Sequence, residues 1–405
     1  MTDHNYIDED DELIRYCESL NDSEVIAMDT EFLSETTYRP QLCLIQVADD
    51  RGDVAIIDPL ALSTTKPFWE LMGSGRHTIV AHAAREEIRF CDRLGGDTDT
   101  DANGHGIDQL FDTQLAAGFV GIEYPISLAA LVDQLLGRQL SKGETRTDWS
   151  RRPLSPSQVR YAIADVTDLH AIHDRLLDGL RSRERLDWFE EEIQLRQDKV
   201  LRHDRAEHWR RFSGVNSLRP RAREIVRQLW QWREQLAESL DRLPKRVLRD
   251  DLIIELARMG TSDMRRIRNL RGMERRNLQS HLDDIADAID AALQMPEDDL
   301  PQRIRGPKRV ATPMLGQFLT TSMACVARTH ELSPAIVGNS DDVKEFLHHE
   351  LYGRDETDAP PSLTKGWRGN VVGDTLRSVM RGETAIRIHD VQAKQPLEFV
   401  DIDTP

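Results

Sequence analysis

Three short apolar segments stand close together near the start of the chain. They are EVIAMDTE (24–31), QLCLIQVA (41–48) and DVAIID (53–58), and the segments between them, LSETTYRP and DDRG, are polar. Short apolar runs bounded by such residues predict β-strands. Because connections this short join neighbouring strands in antiparallel order, the pattern predicts a three-stranded antiparallel arrangement.

The pattern changes after residue 76, where strand and helix periodicities begin to alternate. HTIVAHA (77–83) predicts a strand and REEIRFCDRL (85–94) predicts a helix, and further alternation follows. Such alternation is typical of parallel strands joined by helices. The first half of the chain is therefore predicted to be an α/β domain, built on a mixed β-sheet with helices on both faces.

From residue 183 onwards nearly all of the periodicity is helical. In residues 222–240, apolar side chains recur at helical spacing, at Ile225, Leu229, Trp232, Leu236 and Leu240. A polar, proline-containing segment then separates two helical units. We predict an α/β domain over residues 1–195, an all-α domain over 205–295, a linker over 296–313 and a second helical domain over 314–395.

Length, cysteine content and the N-terminal segment limit the class of protein. A chain of 405 residues predicts two or three domains. Cys17, Cys43, Cys91 and Cys325 lie far apart and form no CxxC pair, which favours reduced thiols. The acidic N-terminus does not resemble a signal peptide, and no apolar run approaches membrane-spanning length. We therefore expect a cytoplasmic protein without membrane association.

The net charge of −18 is distributed unevenly along the chain. Residues 1–180 contain 33 acidic and 15 basic side chains, a balance of −18, whereas residues 205–281 contain 19 basic and 10 acidic ones, a balance of +9. Each segment alone is compatible with an ordinary solvated surface. Together they also fit an acidic active domain beside a module that binds a polyanion.

Two carboxylates follow the first apolar run, at Asp29 and Glu31. On a strand, residues two apart point to the same face, so these like charges would repel each other. A divalent cation relieves that repulsion, and hard oxygen ligands suit Mg²⁺ or Mn²⁺. The alternative is a pair of ordinary charges at the end of a strand, because the D-x-E pattern is common.

A second acidic position lies on a predicted helix in RPLSPSQVRYAIADVTDLHAIHDRL (152–176). Ser155, Pro156 and Gln158 form the capping-box pattern that begins a helix. Tyr161 and Asp165 are four residues apart and therefore share one face of it. Asp168 lies near the same stripe and is a weaker candidate. The pair fits a water held beside a metal-binding carboxylate, and it also fits a solvated Tyr–Asp contact.

A third segment, VAHAAREEIRF (80–90), ends a predicted strand at His82 and opens a helix with Glu86 and Glu87. Acidic residues in the first turn of a helix complement its dipole. This segment therefore needs no catalytic explanation when it is considered alone.

In order and separation, these motifs resemble the ribonuclease D family, in the tyrosine subgroup of the DEDD 3′→5′ exonucleases. The resemblance covers residues 1 to about 180 and rests on DTEF (29–32), HxxxEE (82–87), FDTQLAAGFVG (111–121) and KGETRTDWSRRPLSPSQVRYAIADV (142–166). It implies a ribonuclease H-like exonuclease domain. Residues 205–285 resemble the helicase-and-RNase-D C-terminal (HRDC) domain, and residues 314–395 resemble a second C-terminal helical module of this family.

The resemblance also implies roles for individual residues. Asp29, Glu31 and Asp165 would bind one divalent ion, Mg²⁺ or Mn²⁺, and Asp29 would bridge to a second ion. Tyr161 would orient the attacking water. His82 is expected to be structural. Asp112 is expected to be a structural hydrogen-bonding residue, and the alternative is that it is a further metal ligand.

The implied activity is metal-dependent 3′→5′ exoribonuclease hydrolysis that releases nucleoside 5′-monophosphates. Its expected substrates are single-stranded RNA 3′ ends, with tRNA precursors or other structured RNAs as the physiological targets and no obligate protein partner. A DNA exonuclease is the alternative within the enzyme class, because the sequence does not locate a contact to the 2′-hydroxyl.

Glu87 departs from the family pattern, which has an aspartate at this position. Its oxygen ligands are of the same type, but the side chain is longer by one methylene. We predict that Glu87 still serves as a catalytic metal ligand. The alternative is a catalytically weakened RNA-binding scaffold.

The basic middle segment is expected to supply sequence-independent affinity for phosphates. Pairing with local Asp and Glu residues is the alternative for each arginine. The candidate nucleic-acid-binding residues are Arg246, Arg249, Arg265, Arg266, Arg268 and Arg271.

Overall fold

A six-stranded mixed sheet forms the centre of the first unit, residues 4–205. The structure is a computed structural model and describes residues 4–96, 106–140, 147–302, 313–353, 359–393 and 395–402. The strand order is β1-β4-β3-β2-β5-β6; β2, β3 and β4 are antiparallel neighbours, and the other pairs are parallel. The predicted mixed sheet is thus confirmed, with an additional short edge strand, β1. The strands are β1 (His4–Ile7), β2 (Val25–Leu33), β3 (Gln41–Asp49), β4 (Val54–Ile57), β5 (Thr78–Ala81) and β6 (Leu110–Asp112).

Helices cover both faces of this sheet, because its central strands are apolar on both sides. In β3, every residue from Leu42 to Asp49 is buried. The helices of the first unit are α1 (Asp10–Leu20), α2 (Lys66–Met72), α3 (Arg85–Gly95), α4 (Thr113–Phe119), α5 (Leu128–Leu136), α6 (Pro156–Thr167), α7 (Leu169–Ser182) and α8 (Leu186–Arg205).

The middle unit, residues 208–302, is helical and has a hydrophobic core of its own. Trp209, Leu229, Ile253 and Ile285 are fully buried in that core. Its longest helix, α9, packs against α11 and α14. The predicted apolar stripe is buried at Ile225 and Leu229, whereas Leu240 lies beyond the end of the helix and is 47% exposed. The helices are α9 (Pro220–Ser239), α10 (Pro244–Val247), α11 (Asp250–Met259), α12 (Met264–Arg268), α13 (Arg276–Gln279) and α14 (Leu282–Gln294).

The last unit, residues 313–402, shares the hydrophobic core of the first unit. Leu319, Phe346 and Trp367 belong to the same buried cluster as the central sheet. The unit also ends in a two-stranded antiparallel hairpin that the helical pattern does not predict. Its elements are α15 (Pro313–Thr329), α16 (Pro334–Val337), α17 (Ser340–Tyr352), α18 (Gly366–Arg368), α19 (Asp374–Arg381), β7 (Thr384–Ile388) and β8 (Leu397–Asp401).

The two helical units contact the first unit in different ways. At the contact with the last unit, Gly118 allows close approach, because a Cβ there would collide with Ile336. The contact with the middle unit includes an ion pair between Arg39 and Glu238 of 2.8 Å, in which both side chains are more than half exposed. Exposed pairs of this kind contribute little to stability.

Some predicted features lie outside the described residues. They are residues 142–146 of the sequence motif before α6 and residues 303–312 of the predicted linker. Within the described part of the chain, no helix combines the length and the apolar character needed to cross a membrane.

Candidate active site

Asp29 and Glu31 lie in the C-terminal half of β2, at the centre of the sheet. Asp29 is paired in register with Gln46 of β3, and Glu31 is paired with Leu44. A bulge follows directly, between Glu31 and Phe32. Because alternate residues of a strand share a face, both carboxylates project from the same side of the sheet.

Helix α6 brings Asp165 to these carboxylates. Its first turn has the predicted capping box: the Ser155 side chain accepts from the Gln158 backbone N–H, and the Gln158 side chain accepts from the Ser155 N–H. Pro156 occupies the start of the helix. The helix then packs across β2, β3 and β4, so a locally encoded N-terminus fixes where Asp165 lies.

Arg152 anchors the segment that precedes α6. Its Nη2 donates to Asp58 Oδ1 at 2.6 Å and to the carbonyl oxygen of Cys43 at 2.7 Å, while Nη1 donates to the carbonyl oxygen of Trp149 at 2.8 Å. The Tyr6 hydroxyl donates to the other Asp58 oxygen at 2.7 Å. The start of α6 is therefore tied to the end of β4. A role for Arg152 is not predictable from the local sequence, because its partner Asp58 lies 94 residues away.

The structure brings three of the predicted metal ligands together. One carboxylate oxygen from each of Asp29, Glu31 and Asp165 lies within 4.8 Å of the others. In the described part of the chain, no other group of three or more such side chains meets this criterion.

Burial raises the pKa of all three carboxyl groups. It raises the pKa of Asp165 to about 7, and with the nearby Asp165 and Glu87 charges it raises the pKa of Glu31 to about 8. Burial is also the main reason why the pKa of Asp29 lies well above its ordinary range, with further contributions from Glu87, Asp165 and Glu31. Each group resists ionisation because its charge is desolvated, and for Asp29 and Glu31 also because like charges surround it.

Tyr161 lies beside this cluster and hydrogen-bonds to Asp165. Burial, followed by the charges of Asp165, Glu31 and Asp29, raises the pKa of its hydroxyl above its ordinary value. Its ring packs against Trp149 with the ring centroids 6.0 Å apart. The hydroxyl therefore stays protonated at neutral pH, which suits a hydrogen-bond donor rather than a base.

Glu87, the fourth predicted ligand, is not part of the three-carboxylate group. Its side chain is buried, and Oε1 accepts a hydrogen bond from the Thr30 hydroxyl at 2.6 Å. Burial raises its pKa to about 7. It is still close enough to contribute to the raised pKa of Asp29. In this structure Glu87 therefore borders the site and is held by Thr30.

Other candidates from the sequence have structural contacts. His82 lies between the Thr113 hydroxyl, at 2.9 Å, and the carbonyl oxygen of Ile126, at 3.0 Å. Asp112 caps α4 and also accepts from the backbone N–H groups of residues 83 and 84. Asp168 ends α6 and pairs with Arg138 at 2.8 Å.

The donor set of the carboxylate cluster fits a divalent cation. All three side chains offer hard oxygen ligands, and the set includes neither histidine nor cysteine, which favours Mg²⁺ or Mn²⁺ over zinc. A bound cation would also neutralise the repulsion that raises the pKa of Asp29 and Glu31.

A basic groove of about 730 Å³ lies on the surface of the middle unit. Two of the predicted nucleic-acid-binding residues, Arg246 and Arg249, line it, and Arg249 is paired with Asp251 at 2.5 Å. The remaining charged side chains on its walls are Lys245, Arg258, Arg275, Asp250 and Glu255. The other four predicted arginines are exposed and lie outside the groove lining, at Arg265, Arg266, Arg268 and Arg271.

Comparisons with known proteins place this geometry in a family. A profile described as 3′-5′ exonuclease matches residues 4–181, and one described as HRDC domain matches residues 222–289. Ribonuclease D of Gluconacetobacter diazotrophicus is 30% identical over 389 residues, which is 95% of each chain. Ribonuclease D of Jannaschia sp. is 32% identical over 387 residues, covering 93% of this chain and 95% of the relative.

A solved structure is similar to this chain over nearly its whole length. The crystal structure of Escherichia coli RNase D, an exoribonuclease involved in structured RNA processing, has a TM-score of 0.79 and 26% sequence identity to this chain. The similarity covers 94% of this chain and 99% of that one. All three units of the fold are therefore within the extent of the similarity.

Proposed function

Because the chain belongs to the ribonuclease D family and is a 3′→5′ exoribonuclease, we propose that it trims RNA 3′ ends with two divalent cations held at the carboxylate cluster. Exonucleases of this family depend on divalent metal. The proposal rests on the carboxylate cluster, in which one oxygen from each of Asp29, Glu31 and Asp165 lies within 4.8 Å of the others. Asp29, Glu31 and Asp165 would hold these ions.

The bound ions would supply Lewis acidity, which polarises the scissile phosphate and lowers the pKa of water. The chain's own residues position the attacking water. Tyr161, protonated and fixed against Trp149, holds the attacking water by a hydrogen bond. The water oxygen bonds to phosphorus and the water loses a proton to solvent. The bond from phosphorus to the 3′-oxygen of the preceding nucleotide breaks, and that oxygen takes up a proton from solvent. The product is a nucleoside 5′-monophosphate.

For the substrate, we propose structured RNAs with a single-stranded 3′ tail, such as tRNA precursors. Escherichia coli RNase D is an exoribonuclease involved in structured RNA processing, and similarity to it supports the same class here. The carboxylate cluster alone would repel phosphates until cations are bound, so a separate basic surface is useful for capturing RNA.

The proposal is tested with a 5′-labelled RNA hairpin carrying a single-stranded 3′ tail, in Mg²⁺ or Mn²⁺. We expect stepwise shortening with release of nucleoside 5′-monophosphates, and a loss of about 10²- to 10³-fold in rate for Asp29→Ala. The matched control is Glu35→Ala, an exposed carboxylate just after β2, which should leave the rate unchanged. Equal rates for Asp29→Ala and the native protein would refute the proposal.

A competition experiment addresses the DNA alternative. RNA and DNA of the same sequence are mixed, and the shortening of each is followed. We expect RNA to be preferred, and a preference for DNA would favour the alternative activity.

We further propose that the basic groove, with Arg246 and Arg249, binds the RNA backbone. On single strands, each phosphate contact contributes about 0.7 to the slope of log K against log salt. The measurement uses the Asp29→Ala protein, so that the RNA is not degraded. Adding Arg246→Ala and Arg249→Ala to it should lower the affinity for RNA about tenfold at low salt and reduce the slope of log K against log salt by about 1.4. Filter binding at several salt concentrations measures both quantities.

The control for the groove is the pair Arg265→Ala and Arg266→Ala, because these arginines are also exposed but lie outside it. We expect this pair to have a smaller effect. Equal losses of RNA affinity from the two pairs would show that binding depends on the positive charge of the middle unit and not on the groove in particular.

A further inference from the structure

Gln46 lies in the middle of β3, directly beside the carboxylate cluster. It is paired in register with Asp29 on one side and with Ile56 of β4 on the other. Residues directly opposite each other on neighbouring strands project to the same face of the sheet. This is the face that carries Asp29 and Glu31, and helix α6 packs across β2, β3 and β4.

The amide of Gln46 is buried and has no hydrogen-bond partner in the described part of the structure. The residue is 0% exposed, and neither Oε1 nor Nε2 makes a hydrogen bond. An unpaired amide is costly to bury, and native proteins contain few of them. The residues two positions away on the same strand, Leu44 and Ala48, are buried and apolar. Packing alone would therefore be served better by an apolar side chain at position 46.

The position of Gln46 indicates what would satisfy this amide. Asp29 is its direct cross-strand neighbour, and a carboxylate oxygen accepts hydrogen bonds from an amide N–H. Carboxylates that bind metal ions are commonly held in orientation by a second hydrogen-bonding partner. The chain thus places an unpaired amide directly across from a carboxylate of the proposed metal site.

We propose that Gln46 is a positioning residue of the metal site, whose amide nitrogen donates to the Asp29 carboxylate when that carboxylate holds a divalent cation. The inference rests on the proposed function, because it assumes a cation at Asp29. Gln46 itself touches neither substrate nor the reacting atoms. Its effect is to fix the orientation in which Asp29 presents its oxygens.

The test compares Gln46→Leu with Gln41→Leu in the full-length chain. Both substitutions change the same residue type on the same strand, but Gln41 is exposed at the start of β3. Mn²⁺ affinity is measured by calorimetry, and stability is measured by urea denaturation with EDTA. We expect Gln46→Leu to weaken Mn²⁺ binding by about tenfold or more without lowering the urea midpoint in EDTA. Gln41→Leu should change neither quantity.

Two results would overturn the inference. One is unchanged Mn²⁺ affinity in Gln46→Leu. The other is a lower urea midpoint in EDTA, which would indicate that the amide stabilises the metal-free fold. The native protein and Asp29→Ala are titrated in parallel. If the native protein binds Mn²⁺ through Asp29 and degrades RNA while Gln46→Leu binds Mn²⁺ equally well, this inference fails and the proposed function stands.

Discussion

Two groups of buried and half-buried charged side chains, one at the contact between the first and last units and one at the carboxylate cluster, differ in how their charges are balanced. At the contact with the last unit, Glu192 is 5% exposed and accepts from Arg196 Nε at 2.9 Å and from Arg368 Nη1 at 2.6 Å. Arg368 also donates to the carbonyl oxygens of Ile336 and Val337, each at 2.8 Å. Every charge in this group has an opposite charge or a polar partner.

The carboxylate cluster has the opposite character. Asp29, Glu31 and Asp165 are of one sign. Burial, together with the nearby charges of Asp165 and Glu87, raises the pKa of Glu31 to about 8. A buried group of like charges without a counter-charge in the protein marks a candidate binding site. This contrast distinguishes the proposed metal site from the structural ion pairs without reference to any relative.

The largest expected effect on stability comes from breaking the balanced group. Glu192→Gln leaves two half-buried guanidinium groups beside a neutral amide, which should lower the free energy of unfolding by about 3 kcal/mol. Urea denaturation measures the loss. RNA hydrolysis by the folded protein at low temperature should remain near the native rate, because Glu192 is not part of the carboxylate cluster.

The control for this change is Glu190→Gln, an exposed residue of the same helix. It should change the free energy of unfolding by less than about 0.5 kcal/mol. A loss below about 1 kcal/mol for Glu192→Gln would show that the junction does not depend on this charge pairing.

A smaller effect is expected from titrating the carboxylate cluster in the metal-free protein. In the unfolded chain, Glu31 and Asp165 ionise near pH 4, whereas in the folded protein their pKa values are raised to about 8 and about 7. The folded state therefore retains protons that the unfolded state has lost, and its stability falls as pH rises from about 4 through 8. Between pH 7 and 9 in EDTA, we expect a loss of about 2 kcal/mol.

Urea denaturation at several pH values measures this slope. Glu31→Gln should flatten it, because the amide does not ionise, and saturating Mg²⁺ at pH 9 should restore much of the lost stability. The same slope in Glu31→Gln and in the native protein would contradict the assignment of the titration to this cluster.

Much of the site could be predicted because its signals are local. Asp29 and Glu31 are two residues apart on a strand, and Tyr161 and Asp165 are four apart on a helix, so simple periodicity places each pair on one face. The capping box at Ser155 fixes the start of α6 from adjacent residues. The mixed sheet was predictable for the same reason, since its strands alternate clearly with turns or helices.

The remainder depends on contacts between distant segments. Gln46 is an ordinary polar residue within an apolar run until strand register places it opposite Asp29. Glu192 and Arg368 are 176 residues apart. The apolar stripes of the last unit predict helices, but they do not indicate that these helices complete the core of the first unit. The edge strand β1 is only four residues long and shows no clear alternation.

The smallest expected effect concerns Glu87, the residue that borders the cluster and is held by Thr30. Glu87→Asp shortens the side chain by one methylene, which weakens the contact with the Thr30 hydroxyl, now 2.6 Å long, and restores the family residue. We expect the rate of RNA hydrolysis at saturating Mg²⁺ to change by less than about tenfold, equivalent to about 1.4 kcal/mol. Single-turnover hydrolysis measures the rate.

This comparison separates an active enzyme from a weakened scaffold. If the native glutamate serves as a ligand, or acts through water after leaving Thr30, either carboxylate supplies the same type of oxygen donor and the two rates stay close. If contact with Thr30 holds Glu87 away from the cations, the shorter aspartate should raise the rate by well over tenfold. Glu86→Asp is the control, because its partner Arg89 lies on the same helix and the change should leave the rate unaltered. A large gain confined to Glu87→Asp would therefore identify the native protein as a nuclease weakened at that position.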